Sequence, residues 1–329
     1  MFDKIKVLIV GYGSIGRRHF NNLIKLGYSN ISFVRTMKDS ITDDELKKYS
    51  VFNNLDDALQ QKPQIVFVTN PTSKHMETAI KSAESGCHLF IEKPLSHTVD
   101  GYKELSELVT RKGLITMIGC QFRFHPLLNS LQKSIQAGKL GNIVSARAEY
   151  GEYLPSWHPW ENHRKSYSAR NDLGGGVILT LIHPLDYLYW LFGSVRKVHA
   201  SFSQIDHLNT NVGDDLAEII LNFNSGIIGQ IHLDYIQKPP VHQLCVLGDA
   251  GRANLDFIKG HLEWINHDGF AEYEQVPGTF DRNTMFTDEL KHFMNAVENN
   301  KQTDISLSEG IDVLELALKA KQYAQIRQQ

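Results

Sequence analysis

The chain has 329 residues, which is too long for one ordinary hydrophobic core and favours two domains. Its composition is 42% hydrophobic and 22% charged, as is typical of a folded globular protein. Lysine and arginine number 34 against 37 aspartate and glutamate residues, so the net charge is -3. This balance lacks the basic excess of a nucleic-acid-binding protein, and we expect no nucleic acid partner.

The cysteines and the longest apolar stretch bear on the cellular location of the protein. Cys87, Cys120 and Cys245 are far apart and form no C-x-x-C pair, which favours a reducing, cytoplasmic location. The stretch 177–192 is interrupted by His183, Pro184 and Asp186, each costly in hydrocarbon, so we expect no membrane span there and interpret it as a buried helix that lines a site.

The first third of the chain alternates short β-branched runs with helical patterns. This alternation is typical of βαβ units, and it predicts an N-terminal Rossmann dinucleotide-binding domain over residues 1–120, built on a doubly wound parallel sheet. The helical patterns cover 73–85 and 99–112. The strand-like runs are 5–10, 31–34, 49–52, 64–69, 88–91 and 114–118.

A glycine-rich loop directly follows the first predicted strand and opens a helix. Gly11, Gly13 and Gly16 form a G-x-G-x-x-G pattern, in which the glycines allow a tight turn, a close approach of phosphate and close packing of the helix. Ser14 and Ile15 stand at the helix start, where free N–H groups and the helix dipole attract phosphates. The alternative is a glycine-rich turn without a ligand.

The end of the second strand bears on the choice of cofactor. NAD-specific sites place a carboxylate about twenty residues after the glycine loop, but this chain has Arg35 and Thr36 there. A guanidinium suits a 2′-phosphate, so we predict that NADP(H) is preferred, with NAD(H) as the alternative. Arg35 could instead be a solvated surface residue.

Polar motifs follow later strands, at the sheet edge where ligands bind in this fold. Thr69-Asn70-Pro71 follows the fourth strand and His75 begins the next helix, while Glu92-Lys93-Pro94 follows the fifth strand. Further along come Gln121-Phe122-Arg123-Phe124 and a triple glycine, 174–176, that leads to His183.

After residue 121 the pattern changes to longer alternating strands, 144–150, 217–223 and 227–235, with a turn at Asn224-Ser225-Gly226. These strands predict a C-terminal α+β domain over residues 121–329 with a large, mostly antiparallel sheet open on one face. The segment 306–325 has an apolar stripe and is expected to form a helix that packs back onto the body.

The order of these motifs resembles the Gfo/Idh/MocA family of glucose–fructose oxidoreductase and inositol dehydrogenase. The resemblance runs nearly end to end and includes Gly248-Asp249-Ala250-Gly251 and the ending from Phe286 through Glu289 to Phe293. It implies a six-stranded nucleotide domain, a homodimer or homotetramer assembled through the C-terminal sheet, and hydride transfer at a sugar or cyclitol carbon. The cofactor-binding residues expected on this basis are Gly11, Gly13, Ser14, Ile15, Gly16, Arg35, Thr36, Thr69, Asn70, Pro71, His75, Glu92, Lys93 and Gln121.

The resemblance also implies catalytic roles for Lys93 and His183. Oxidising an alcohol requires removal of a hydride by the nicotinamide and of a proton from oxygen. Imidazole titrates near working pH, so His183 suits the proton acceptor, and the Lys93 cation suits holding and polarising the substrate oxygen. The alternatives are that His183 is a core histidine and Lys93 a surface lysine.

One departure from the family concerns the residues before His183. Many members carry an aspartate three or four residues earlier, whereas this chain has Leu179 and Thr180 there. Asp186, one helical turn after His183, could orient the imidazole or serve a structural purpose.

The stretch 153–167 is rich in aromatic and basic residues, which suit a sugar or a phosphate. Some of these residues could instead fill a core or a subunit contact. Three histidines, His158, His163 and His183, match no compact ligand spacing, and we expect no metal. The expected substrate-binding residues are Lys93, Arg123, Tyr153, Trp157, Arg164, Thr180 and His183.

By analogy with family members, the substrate is a sugar, a nucleotide sugar or a cyclitol, in surface polysaccharide or amino-sugar pathways. Two other functions stay open. One is a redox-neutral elimination of the glycosidase type, in which a tightly held nicotinamide oxidises the sugar transiently. The other is a non-catalytic dinucleotide-binding regulator, against which the presence of both Lys93 and His183 argues.

Overall fold

This computed structural model describes residues 5–35 and 44–327. The chain divides into two compact units, one of residues 1–120 and 286–314 and the other of residues 121–285 and 315–329. The first unit therefore includes a late segment, 286–314, that the sequence analysis assigned to the second domain.

The first unit contains a six-stranded parallel sheet, as predicted. Its strands are β1 (Val7–Val10), β2 (Ile31–Val34), β3 (Ser50–Phe52), β4 (Ile65–Val68), β5 (His88–Glu92) and β6 (Thr116–Gly119). The spatial order is β3-β2-β1-β4-β5-β6, and all neighbours are parallel. Every residue of β1, β4 and β6 is buried, as expected of strands that are covered on both faces. The order reverses between β1 and β4, which marks the position where ligands bind in open α/β sheets.

The helices after β1, β4 and β5 begin close to the predicted positions, and a short helix at 55–59 was not predicted. They are α1 (Ser14–Lys25), α2 (Leu55–Leu59), α3 (His75–Glu84) and α4 (Tyr102–Lys112). The pattern at 99–112 predicted an earlier start for α4, but Gly101 has a left-handed backbone with φ of 82° and cannot continue a right-handed helix. Within the late segment of the unit, Phe293 contacts Phe67 and Phe90 of the sheet, with ring centroids 5.8 Å and 5.5 Å apart.

The second unit contains an eight-stranded sheet. Its strands are β7 (Ile143–Gly151), β8 (Val195–Ser203), β9 (Leu216–Phe223), β10 (Ile228–Asp234), β11 (Val241–Gly248), β12 (Gly251–Asp256), β13 (His261–Asn266) and β14 (Ala271–Gln275). The order is β14-β13-β12-β11-β7-β10-β9-β8, and β7 with β10 is the parallel pair among antiparallel neighbours. Along β7, Ala146, Ala148 and Tyr150 are buried while Arg147 between them is exposed, so the predicted alternation is confirmed.

The remaining helices are α5 (Pro126–Gln136), α6 (Val177–Thr180), α7 (His183–Phe192), α8 (Arg282–Glu298) and α9 (Leu307–Arg327). The interpretation of 177–192 as one helix is wrong, because the helix breaks between Thr180 and His183. Pro184 has no N–H to donate to the carbonyl of Thr180, and Leu181 leaves the helical region with φ of -97° and ψ of 39°. Among the described residues, no single helix has the length and apolar character to cross a membrane; the bent pair 171–180 and 183–192 meets those criteria only when both parts are counted together.

Candidate active site

Close packing requires glycine at two positions of the loop after β1. A Cβ added to Gly11, whose φ is +99°, would lie 2.7 Å from the backbone nitrogen of Asn70. A Cβ added to Gly16 would lie 2.2 Å from the carbonyl oxygen of Gly11. No side chain fits at either position, so the loop lies directly against the end of β4 and the start of α1.

Gly13 is different, because the protein does not fill the space beside it. An added Cβ would meet no described heavy atom within 4 Å, and its φ of -77° suits any residue. Gly13 precedes the positive end of α1, where the N–H groups of the first turn have no intrahelical acceptor and no acidic side chain is present. These features fit the pyrophosphate of a dinucleotide, which Gly13, Ser14, Ile15 and Gly16 would hold.

Arg35 and Thr36, which are predicted to select the cofactor, follow β2 in the sequence. Arg35 directly follows the strand, is half-buried, and donates its backbone N–H to Phe52 of β3 at 3.0 Å. Thr36 lies outside the described residues.

Thr69 and Asn70 use their side chains to brace the glycine loop and the next helix. The buried hydroxyl of Thr69 donates to the carbonyl of Gly11 at 2.7 Å, and the amide of Asn70 donates to Thr78 of α3 at 2.8 Å. The Thr69 side chain therefore supports the loop, and the cofactor contact of this residue stays a prediction. Pro71 is exposed at this edge of the sheet.

His75 lies inside the unit and does not face a ligand. It is 2% exposed, with Nε2 2.8 Å from the carbonyl oxygen of Asn70 and Nδ1 2.9 Å from that of Pro94. Burial lowers the pKa of His75, although both carbonyls and Glu92 act in the opposite direction. The predicted cofactor contact of His75 is corrected, because both ring nitrogens are occupied by backbone carbonyls.

Glu92 is likewise an internal residue, whereas Lys93 is not. The Glu92 carboxylate is buried and lies 2.6 Å from Nε2 of His19 on α1. A buried carboxylate needs such a partner, so Glu92 supports α1, and its cofactor contact stays a prediction. Lys93 follows β5 at the carboxyl edge of the sheet and is half-buried.

The sequence analysis missed His19. It is fully buried in α1, on the same side as Gly16, Phe20 and Leu23, and its ring lies 4.9 Å from that of Phe90. A histidine on the apolar side of the helix after a glycine loop was the available signal, since a buried imidazole requires a polar partner.

In the second unit, Gln121 and His183 form a pair. Gln121 belongs to the 3-10 turn Gln121–Phe124, and its Nε2 lies 3.3 Å from Nε2 of His183, the first residue of α7. Both residues are 3% exposed, and the ring of Phe122 packs edge-on against His183 at 4.7 Å. With the amide nitrogen donating, imidazole Nε2 accepts, and the neutral ring then carries its proton on Nδ1. Gln121 therefore orients His183; this contact was not part of the cofactor role predicted for it.

Arg123 and Asp186 connect the same turn to the same helix. Nη2 and Nε of Arg123 donate to the two carboxylate oxygens of Asp186 at 2.7–3.1 Å, and both side chains are at most 4% exposed. The substrate contact predicted for Arg123 is not supported by this buried pair. Asp186 binds Arg123, which decides the open alternative in favour of a structural purpose.

The triple glycine packs against other parts of the second unit. A Cβ added to Gly175 would lie 2.3 Å from the carbonyl oxygen of Tyr167, and one added to Gly176 would lie 2.3 Å from the carboxylate of Asp214. Asp214 accepts the N–H of Ile178 at the start of α6 and pairs with Lys321 at 2.9 Å. Burial nonetheless raises the pKa of Asp214 to about 6.

The predicted substrate residues of the second unit differ in exposure. Thr180 is buried, while Trp157 is half-buried with its ring 5.6 Å from Tyr235. Tyr153 is half-buried with Nζ of Lys238 5.7 Å from its ring centre, and Arg164 is exposed. Within residues 5–35 and 44–327, no group of three or more histidine, cysteine or acidic residues could hold a metal ion.

The chain is similar to known oxidoreductases along most of its length. The family described as an oxidoreductase family with an NAD-binding Rossmann fold matches residues 5–120, and the GFO/IDH/MocA C-terminal domain matches residues 128–254. A scyllo-inositol 2-dehydrogenase (NAD(+)) from Bacillus subtilis is 25% identical over 95% of this chain and 93% of its own. A levoglucosan dehydrogenase from Pseudarthrobacter phenanthrenivorans is 31% identical over 141 residues. The aligned part covers 42% of this chain and 35% of that relative.

Solved structures share the fold. A levoglucosan dehydrogenase in complex with NADH and levoglucosan has a TM-score of 0.87 at 17% identity, covering 98% of this chain and 97% of that one. A UDP-N-acetylglucosamine 3-dehydrogenase from Acidithiobacillus ferrooxidans has a TM-score of 0.80 at 21% identity, covering 99% of both chains. With both domains matched in order, the chain belongs to the GFO/IDH/MocA family of NAD-binding oxidoreductases.

Proposed function

We propose that this oxidoreductase transfers a hydride between a nicotinamide and an alcohol carbon of a sugar, a nucleotide sugar or a cyclitol. The observation that carries the proposal is the position of Lys93 at the carboxyl end of β5, on the same edge of the parallel sheet as the glycine loop after β1. The activities of the inositol and levoglucosan dehydrogenases named above support this substrate class.

In the proposed mechanism, Lys93 and His183 act on the same substrate hydroxyl. Lys93 binds and polarises the oxygen, and the proton goes to Nε2 of His183, where the substrate hydroxyl replaces the Gln121 amide as the hydrogen-bond donor. The nicotinamide, when bound, supplies the hydride acceptor. Tyr153, Trp157 and Arg164 are proposed to contact the rest of the substrate.

Replacing Lys93 or His183 tests these roles. We expect Lys93→Ala and His183→Ala each to lower turnover by roughly a hundredfold or more, because each removes a group that acts on the reacting oxygen. The double variant should lose little beyond the worse single variant, since groups that act together are not additive. Lys103→Ala, at an exposed position of α4, is the control. Near-normal turnover of either single variant contradicts the assignment.

We further propose that NADP(H) is preferred over NAD(H), through Arg35 at the end of β2. Arg35→Gln should weaken NADPH binding by about tenfold and leave NADH binding nearly unchanged, since a charge-assisted bond to the 2′-phosphate is lost. Dissociation constants of both reduced cofactors are the measurement, with Arg111→Gln on α4 as the matched control. A wild-type protein that binds NADH about tenfold more tightly than NADPH contradicts the proposal.

A screen of nucleotide sugars, free sugars and inositols with both cofactors separates the remaining candidates. A net change in the absorbance of reduced nicotinamide supports the dehydrogenase. Conversion of substrate with co-purifying nicotinamide and no net absorbance change supports redox-neutral elimination instead, and binding without conversion supports a regulator. A cytoplasmic location, a surface polysaccharide or amino-sugar pathway, and a homodimer or homotetramer formed through the C-terminal sheet stay predictions.

A further inference from the structure

His75 stands between two turns that end neighbouring strands of the first unit. One turn follows β4 and contains Asn70, and the other follows β5 and contains Lys93 and Pro94. The two ring nitrogens are 2.8 Å and 2.9 Å from the carbonyl oxygens of Asn70 and Pro94, and the side chain is almost completely buried. His75 therefore lies between the two turns, with one ring nitrogen within hydrogen-bond distance of each.

Each turn continues into a different part of the site. The backbone of Asn70 is packed against Gly11, since a Cβ on Gly11 would lie 2.7 Å from it, so the turn after β4 supports the glycine loop. The carbonyl of Pro94 is one residue from Lys93, so the turn after β5 supports the lysine. A shift of either turn would move the group that it supports, and displacements of about 1 Å can cost large factors in rate.

A single N–H of His75 cannot donate a hydrogen bond to both turns. Both partners are carbonyl oxygens, which accept only, whereas neutral imidazole has one N–H donor. Each neutral tautomer therefore donates a hydrogen bond to one turn, and only the doubly protonated ring donates to both. Burial lowers the pKa of His75 and the Lys93 charge lowers it further, whereas the two carbonyls and Glu92 raise it, so the neutral ring with one N–H predominates at neutral pH.

From this arrangement we infer that His75 is a positioning residue that couples the Lys93 turn to the turn bracing the dinucleotide loop. The inference rests on the proposed function, because it assigns catalysis to Lys93 and cofactor binding to the glycine loop. It adds that the tautomer with N–H on Nδ1 holds the Lys93 turn, and the tautomer with N–H on Nε2 holds the turn on the cofactor side. His75 itself contacts neither substrate nor cofactor.

Two conservative variants separate these two contributions. In His75→Asn the amide nitrogen takes the position of Nδ1, so the bond to Pro94 is kept and the bond to Asn70 is lost; in His75→Gln the reverse holds. We expect His75→Asn to weaken dinucleotide binding by about tenfold and to keep turnover at saturating cofactor within a few fold. His75→Gln should keep the dissociation constant and lower turnover by about tenfold, and His75→Leu should lose both.

The matched control is His88→Asn. His88 begins β5 at the opposite edge of the same sheet and accepts the N–H of Ile115 at 3.0 Å, so it tests the loss of a partly buried imidazole away from the site. Thermal unfolding of all variants identifies any that are not folded. Equal effects of His75→Asn and His75→Gln on binding and on turnover, or a control that behaves like them, overturn the inference.

The outcome is informative even if the proposed reaction is wrong. If the wild-type protein turns over no sugar or cyclitol, the proposed function fails, but the dissociation constants still test the Asn70 half of the inference. In that case ¹³C-dimethylated lysine spectra, with the Lys93 signal identified from Lys93→Arg, report the Pro94 half. We then expect the Lys93 signal to move in His75→Gln and to stay in place in His75→Asn.

Discussion

At the scale of single residues, the motifs identified polar residues at the carboxyl edge of the sheet, and the structure adds which neighbours their side chains bind. Thr69 and His75 follow β4 and Glu92 precedes Lys93 at the end of β5, yet each directs polar atoms to a neighbour within the first unit. The sequence identifies residue types that are able to bind a cofactor. It does not show which of them already have an internal partner, because those partners, such as His19 for Glu92, come from distant parts of the chain.

The Arg123–Asp186 pair gives a residue-scale prediction. Asp186→Asn should lower the free energy of unfolding by about 3–5 kcal/mol, because it leaves the Arg123 guanidinium buried without its counter-charge. Turnover should fall as well, since the turn that carries Gln121 and the helix that carries His183 lose their connection. Urea unfolding and steady-state rates are the measurements.

The double variant Arg123→Leu with Asp186→Leu is the control for that pair. Replacement of both charges by apolar side chains should recover much of the stability lost in Asp186→Asn, as is usual for buried ion pairs. If Asp186→Asn unfolds at the same urea concentration as the wild type, the predicted stabilisation by the Arg123–Asp186 pair is contradicted.

At the scale of elements, three strands of the second unit meet at His232 on β10. Its ring lies 2.6 Å from Glu218 of β9 and 3.1 Å from Asp234, and Glu149 of β7 is opposite it in register. The hydrogen bond to Asp234, with the charge of Glu218, raises the pKa of His232 to about 9. Neighbouring strands are thus joined by a charged imidazole.

The stability of the protein should therefore fall at alkaline pH. Because the pKa of His232 is raised from 6.5 to about 9 on folding, its contribution to the free energy of unfolding is complete below pH 6.5 and is lost as the pH rises through 9. Urea unfolding on either side of this interval should show a smaller decrease for His232→Gln than for the wild type. His261→Gln, on β13 of the same sheet, is the matched control, and equal decreases in all three proteins contradict the prediction.

At the scale of the whole molecule, the fold was predictable from alternation and periodicity, while two features were not. The buried apolar runs predicted the parallel sheet, and the period of two along β7 and its neighbours predicted the open one. The break between α6 and α7 was obscured by the continuous apolar sequence around Pro184. The assignment of 286–314 to the first unit depends on contacts such as Phe293 with Phe67, which no local pattern encodes.

That late segment has a consequence for how the protein is made. The ribosome delivers residues 1–120 first, yet the first unit also contains 286–314, whose Phe293 completes the aromatic cluster on β4 and β5. Nascent domains fold as units during synthesis, so the nucleotide-binding unit finishes its core only after the whole eight-stranded sheet has been translated. Because the second unit in turn includes residues after 314, neither unit can complete its core before this late part of the chain has been translated.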